Sequence, residues 1–306
     1  MPNVAVLFAG QGAQHPGMGA VLSAVEPAAC EVFDTCDAQR PGTSRLCFEG
    51  SAEELKVTAN TQPCMFAVDL ACARALLAHG VAPACVAGFS LGELAALAFA
   101  GVMTDADAFR VVCERARLMD DACQARPGGM SAVVKLPAEK VEELAAQAGA
   151  WPVNYNSPAQ TVVAGTAEAL AELAPLVKAA GGRAMPLAVS GAFHSPLMAP
   201  AAEGLAGVLA DVPFAAPAVP VWANTTGEPY PADADAARAL LAGQCAHPVR
   251  WTKTLAGMAA AGVDTFVEVG PGHVLSGLVA RTLPDARALH FETPEELAGV
   301  LAELGR

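Results

Sequence analysis

Residues 84 to 100 constrain this chain more than any other stretch. The run Ala84-Cys85-Val86-Ala87 is short and apolar and follows Pro83, which reads as a buried strand. It stops at Gly88-Phe89-Ser90-Leu91-Gly92-Glu93, and Leu91 to Ala100 then supplies good helix formers, with Gly101 as terminator. A strand that turns directly into a helix needs a sharp, strained corner. Gly88 and Gly92, two residues either side of Ser90, remove Cβ atoms that would crowd it. Gly-x-Ser-x-Gly is the pattern of a nucleophile elbow, with the serine at a helix N-terminus where unpaired N–H groups stabilise negative charge. The same residues also describe a serine that merely caps its helix, and the stretch alone does not choose between the two.

The surroundings of that corner alternate strand and helix. Val4 to Ala9 is an apolar strand, Val21 to Cys36 has helical spacing, and Ser51-Ala52-Glu53-Glu54 is a helix start. Thr61-Gln62-Pro63 opens an apolar helix reaching about His79, and Asp105 to Cys123 is amphipathic. Such alternation implies a buried parallel sheet. At Pro127-Gly128-Gly129 the pattern changes to strand (130–136), helix (138–147), strand (152–155), strand (161–164), helix (167–179) and strand (183–188). That βαββαβ order is ferredoxin-like. The expectation is therefore an α/β fold with a hydrolase-like parallel-sheet core, residues 1–126 and 190–306, carrying a small ferredoxin-like domain at 127–189. Beyond it we expect a helix over about 200–209, a strand near 219–222, helices opening near Asp233 and at Pro248 to Trp251, a strand at 265–269 and a helix at 273–281.

Composition excludes several classes. A net charge of −13 disfavours non-specific binding to nucleic acid or an anionic membrane, so an anionic substrate would need local positive charge. No apolar run approaches a membrane span, and Val4 to Ala9 is too short, with no basic residue ahead of it, for a secretory leader. The expectation is a cytoplasmic protein. Nine cysteines lack a CxxC or zinc-like spacing, so they read as reduced core residues and no metal site is expected. The loop Gly10-Gln11-Gly12-Ala13-Gln14-His15-Pro16 fails as a dinucleotide fingerprint, because His15 stands where the third glycine is required.

A serine nucleophile needs a base, usually histidine. His15, His79, His247, His273 and His290 lack a distinctive local pattern; His194 lies in Ser190-Gly191-Ala192-Phe193-His194-Ser195-Pro196-Leu197-Met198. Together with FAGQGAQ at 8–14, TQP at 61–63, GFSLGE at 88–93, the Arg115 segment, NYNSPAQTVVAG at 154–165, Gln244 with HPVRW at 247–251, and VEVGPGHVLSGL at 267–278, this segment resembles one family. That family is the malonyl-CoA:acyl carrier protein transacylases of fatty acid synthesis, related to the acyltransferase domains of polyketide synthases. The resemblance covers essentially the whole chain, and the shared order of the motifs is its specific feature.

What the resemblance implies is a ping-pong acyltransferase. Ser90 would be the nucleophile and His194 its general base and later acid, with a backbone carbonyl near Gln244 as third member. Backbone N–H groups matching Gln11 and Leu91 would form the oxyanion hole, each contributing about 3 kcal/mol to the transition state. Arg115 would hold the malonyl carboxylate through a two-pronged pair that lysine cannot make. Phe193 resembles the malonyl-selecting version of its segment, while Gln62, Gln244, Asn154 and Asn156 match positions near the cleft. The substrates implied are malonyl-CoA and the phosphopantetheine thiol of acyl carrier protein, with no cofactor or metal. The carrier is itself acidic, so docking would need a basic rim, for which Arg183, Arg250, Lys253 and Arg281 are candidates. One position departs from the family, which commonly has histidine where this chain has Phe89. Two alternatives carry the same dyad, the transacylase subunit of a malonate decarboxylase complex and a serine esterase.

Overall fold

In the computed structural model, which describes residues 2–189 and 191–306, the apolar runs around the elbow become adjacent strands. The strands of the described residues are β1 (Val4–Phe8), β2 (Cys85–Gly88), β3 (Gly129–Val134), β4 (Trp151–Ser157), β5 (Gln160–Gly165), β6 (Arg183–Pro186), β7 (Val221–Trp222), β8 (Thr265–Val269) and β9 (Arg287–Phe291). β7, β2, β1, β8 and β9 form one sheet in that order, and every pair in it is parallel. β1, β2 and β8 are buried throughout, because helices cover both faces of such a sheet. The helix Thr58–Ala78 packs on one of those faces and buries sixteen of its residues, including Phe66 and Leu70.

The second sheet has the order β4-β5-β3-β6 and is antiparallel throughout. Helices Ala138–Gln147 and Ala167–Ala179 cross over on one face, and Val141, Leu144, Leu173 and Val177 pack against Val133 and Val163 in a separate core. This is the ferredoxin-like arrangement. Its edge is stitched to the larger sheet's territory, since Tyr155 N donates to Val249 O at 2.9 Å and Val249 N donates to Val153 O at 2.8 Å. Two hydrogen bonds at that point fix one wall of a cleft between the two sheets.

Several elements differ in extent from the sequence reading. The helical stretch from Val21 is two helices, Ala20–Val25 and Pro27–Gln39, because Pro27 cannot continue the first and opens the second. The apolar helix begins at Thr58, three residues before Thr61, and contains Pro63. Helix Thr43–Glu49, strand β9 and helix Pro294–Glu303 were not foreseen. β9 is a sheet edge whose Arg287 and His290 are exposed, so its hydrophobic pattern is diluted. Ser190, where the larger domain was expected to resume, lies outside the described residues, as does Met1.

Candidate active site

β2 delivers Ser90 to the carboxyl end of the parallel sheet, where ligands of open α/β sheets bind. Ser90 has φ +52°, a left-handed conformation that costs a non-glycine residue about 1–3 kcal/mol. The flanking glycines are obligatory. A Cβ on Gly88 would stand 1.9 Å from the Gly92 carbonyl carbon, and one on Gly92 would stand 2.3 Å from Phe8 O. Helix Gly92–Phe99 then leads away into the core with all eight residues buried. The strained serine is tied down by side-chain amides: Ser90 N donates to Asn224 Oδ1 at 2.7 Å, and Gln244 Nε2 donates to Ser90 O at 2.6 Å.

His194, itself at φ +61°, puts Nε2 2.7 Å from Ser90 Oγ. Its Nδ1 lies 3.1 Å from both Gln244 O and His247 O. Carbonyls only accept, so Nδ1 carries the proton and Nε2 offers its lone pair to the serine hydroxyl. Burial, reinforced by the Arg115 cation, pulls the imidazole down to about 4, against the two carbonyls that favour its charged form. His194 is therefore neutral at neutral pH and ready to accept a proton.

Arg115 projects from helix Asp105–Ala125 and is 1% exposed. Its Nη1 donates to Gln62 Oε1 at 2.6 Å and its Nη2 to Gln244 Oε1 at 2.8 Å, with Ser90 Oγ 3.5 Å from Nη2. Nε is buried without a partner. No carboxylate among the described residues lies within ion-pair distance of it; its N–H groups meet two neutral amides and the serine hydroxyl, and Glu93 acts on its charge only from farther off. A buried cation in that condition stands ready for an anion beside the serine.

These groups open onto a cavity of about 630 Å³ whose wall includes Gln11, Ser90, Leu91, Arg115, Phe193 and His194. The backbone amides of Gln11 and Leu91 donate to no other group among the described residues, whereas the Ser90 amide is taken by Asn224. Gln62 and Gln244 do not reach the wall and act from behind, through Arg115. Asn154 and Asn156 line the cavity, each with a buried unpaired Oδ1. Phe89, where the resemblance implies histidine, packs edge-on against Trp251 with ring centroids 5.2 Å apart, an apolar contact. Of the four proposed rim cations, Arg281 lines the cavity. Arg250 Nε donates to Thr225 O and Lys253 pairs with Glu228, so both serve the hairpin at 221–230, and Arg183 lies exposed on β6. Nothing among the described residues groups three or more metal-ligating side chains.

Three members of the site were not singled out from sequence. Glu93 is fully buried beneath the elbow, accepting from Asn224 N at 2.8 Å and from the Tyr230 hydroxyl. Burial pushes its carboxyl up to about 7, opposed by Tyr230, Asn224 and Arg115. Glu93 ends the quoted GFSLGE stretch, a signal available in the sequence, but Asn224 and Tyr230 stand in surroundings with no signal at all.

A parallel sheet that presents serine, neutral histidine and arginine at one cavity defines an α/β enzyme of acyl transfer. A model of the acyl transferase domain matches residues 6–301. The chain is 41% identical over 308 residues to the malonyl CoA-acyl carrier protein transacylase of Escherichia coli O157:H7, covering 98% of this chain and 99% of that one. The transacylase structure from Clostridium perfringens superposes with a TM-score of 0.95 at 34% identity, covering 99% and 97% of the two chains. A malonyl-transacylase solved with a type II polyketide synthase acyl-carrier protein superposes at 0.94 with 36% identity, covering 98% and 99%. The chain belongs to the acyl transferase domain family.

Proposed function

We propose that this enzyme transfers malonyl from malonyl-CoA to the phosphopantetheine thiol of acyl carrier protein through a malonyl-serine intermediate. The observation that carries the reading is the position of Ser90 Oγ, 2.7 Å from the His194 base and 3.5 Å from the Arg115 cation, which has no ion-pair partner among the described residues. Ser90 Oγ attacks the thioester carbonyl as its proton passes to His194 Nε2. The Gln11 and Leu91 amides receive the developing oxyanion. Collapse breaks the C–S bond, and His194 returns its proton to the departing CoA sulfur. The carrier thiol then gives its proton to Nε2 and attacks the ester. Collapse of the second adduct releases malonyl-carrier and restores the Ser90 hydroxyl. Arg115 holds the malonyl carboxylate, supported from behind by Gln62 and Gln244, and Phe193 narrows the cavity against a branched acyl group.

Full-length similarity to transacylases favours this reading over a malonate decarboxylase subunit. Against a serine esterase stands Arg115, which hydrolysis of a simple ester would leave unpaired. The same reading treats residues 127–189 as a small domain inserted in the catalytic domain of 1–126 and 190–306, in the cytoplasm. No helix among the described residues is long and apolar enough to cross a membrane. Arg281 is the rim cation best placed to meet an acidic carrier at the cavity mouth. The test is single-turnover transfer from malonyl-loaded enzyme. Malonate should pass to carrier protein much faster than to water, and water release that outpaces carrier transfer would replace the reading by an esterase.

A further inference from the structure

β7 pairs with β2 only as far as Val221 with Val86 and Trp222 with Ala87. The ladder nevertheless continues to the nucleophile. Asn224 Nδ2 donates to Gly88 O at 2.6 Å, and Asn224 Oδ1 accepts from Ser90 N at 2.7 Å. A parallel neighbour would make those two bonds, to the carbonyl before and the amide after the intervening residue, with its own peptide groups. A side-chain amide thus supplies the last rung, across 134 residues of sequence.

Asn224 is itself held from three sides. Its N–H donates to Glu93 Oε2 at 2.8 Å, its carbonyl accepts from Arg250 N at 2.8 Å, and Gln244 Nε2 approaches its Oδ1 at 3.4 Å. Tyr230, whose hydroxyl donates to the other oxygen of Glu93, sits on the same hairpin, closed by Tyr230 N to Val221 O at 2.7 Å and Ala223 N to Glu228 O at 2.9 Å. Glu93 belongs to the first turn of the helix that Ser90 leads into. The hairpin therefore grips the elbow at two points, the strand end and the helix start.

We propose that Asn224, clamped by Glu93 and Tyr230, is a positioning residue that fixes the angle of Ser90 toward His194 by holding the Ser90 amide and the Gly88 carbonyl on either side of the turn. The inference rests on Ser90 being the nucleophile. A side chain that holds an already strained backbone should act on reactivity, because a displacement of about 1 Å in a reacting group costs on the order of a hundredfold in rate.

The test uses a small uncharged phosphonofluoridate, which bonds phosphorus to a reactive serine oxygen with loss of fluoride and makes no demand on Arg115. Labelling rate, kcat and KM for malonyl transfer, and melting temperature are measured on the full chain. Wild-type enzyme that takes no label at Ser90 would sink the nucleophile assignment and this inference with it, whereas failure of the inference alone is read from the variants of a wild-type enzyme that does label. With labelling established, Asn224→Leu should lower the labelling rate and kcat together by about a hundredfold while KM for malonyl-CoA changes less than about threefold. Tyr230→Phe, which deletes one oxygen from the outer clamp, should lower both rates by about threefold. A folded Asn224→Leu enzyme that labels at the wild-type rate overturns the proposal, since a packing role would lower only the melting temperature. Should Asn224→Leu not fold, Tyr230→Phe decides: wild-type labelling rate and kcat overturn the proposal, and a joint loss supports it.

Discussion

Two strand-to-helix turns border the same cavity and solve the same steric problem in opposite ways. At the first, β2 passes through Ser90 into helix Gly92–Phe99; at the second, β8 passes through Gly270-Pro271-Gly272 into helix Val274–Thr282. The second places its positive φ values, +98° and +77°, on glycines, where they carry little strain. Glu268 then accepts from Leu275 N at 2.9 Å and Ser276 N at 2.7 Å, so its helix start is already occupied by a carboxylate of the chain itself. The elbow does the reverse. Its positive φ falls on a serine, its acid Glu93 turns away to Asn224 and Tyr230, and the Leu91 amide is left for a ligand. A helix N-terminus whose amides are filled from within supports structure, and one left open supports chemistry.

Glycine substitutions break the comparison most sharply. Gly88→Ala would drive a Cβ to within 2.2 Å of three backbone atoms of the elbow, so transfer activity should fall by more than about a thousandfold and the melting temperature should drop visibly. At Gly272 a Cβ meets only the Ala13 Cβ, at 3.2 Å. There alanine should cost the φ penalty of about 1–3 kcal/mol in denaturant unfolding and leave kcat within about threefold.

Arg115→Ala comes next. The ratio of kcat/KM for malonyl over acetyl thioesters should fall by on the order of a hundredfold or more, and an unchanged ratio would remove Arg115 from acyl selection. A pH profile reads the same residue differently. Burial chiefly, and the cation second, lower His194, so wild-type kcat/KM should hold down to an acid limb near pH 4. Arg115→Ala should move that limb up only part of the way, burial remaining, and a limb that stays put would mean burial alone sets the value. The smallest effect is expected at the second turn, where Glu268→Gln removes one of two amide acceptors. Stability should drop by about 1 kcal/mol with transfer unchanged.

The elbow was legible because everything that makes it, an apolar run, two glycines and a helix-forming stretch, lies within seventeen consecutive residues. The small antiparallel sheet was legible for the same reason, its elements following one another with clear turn signals. His194 and Arg115 were legible only through motifs shared along the whole chain, because no local pattern marks a histidine as a base or a helical arginine as buried. Asn224, Tyr230 and the role of Glu93 were not legible. Their hydrogen bonds span 131 to 137 residues and arise only when the parallel sheet brings β7 beside β2. Phe89 stood out as a departure in the sequence, and the Trp251 ring explains it as packing.

The central claim is that Ser90 is a malonyl-carrying nucleophile placed between a neutral histidine and an unpaired arginine. Mass spectrometry of the intact enzyme and its peptides, after brief exposure to malonyl-, methylmalonyl- and acetyl-CoA, tests it most directly. A single malonyl adduct on Ser90, with far less of the other two acyl groups, is the predicted result. An adduct on another residue, or equal loading by acetyl, would contradict the account.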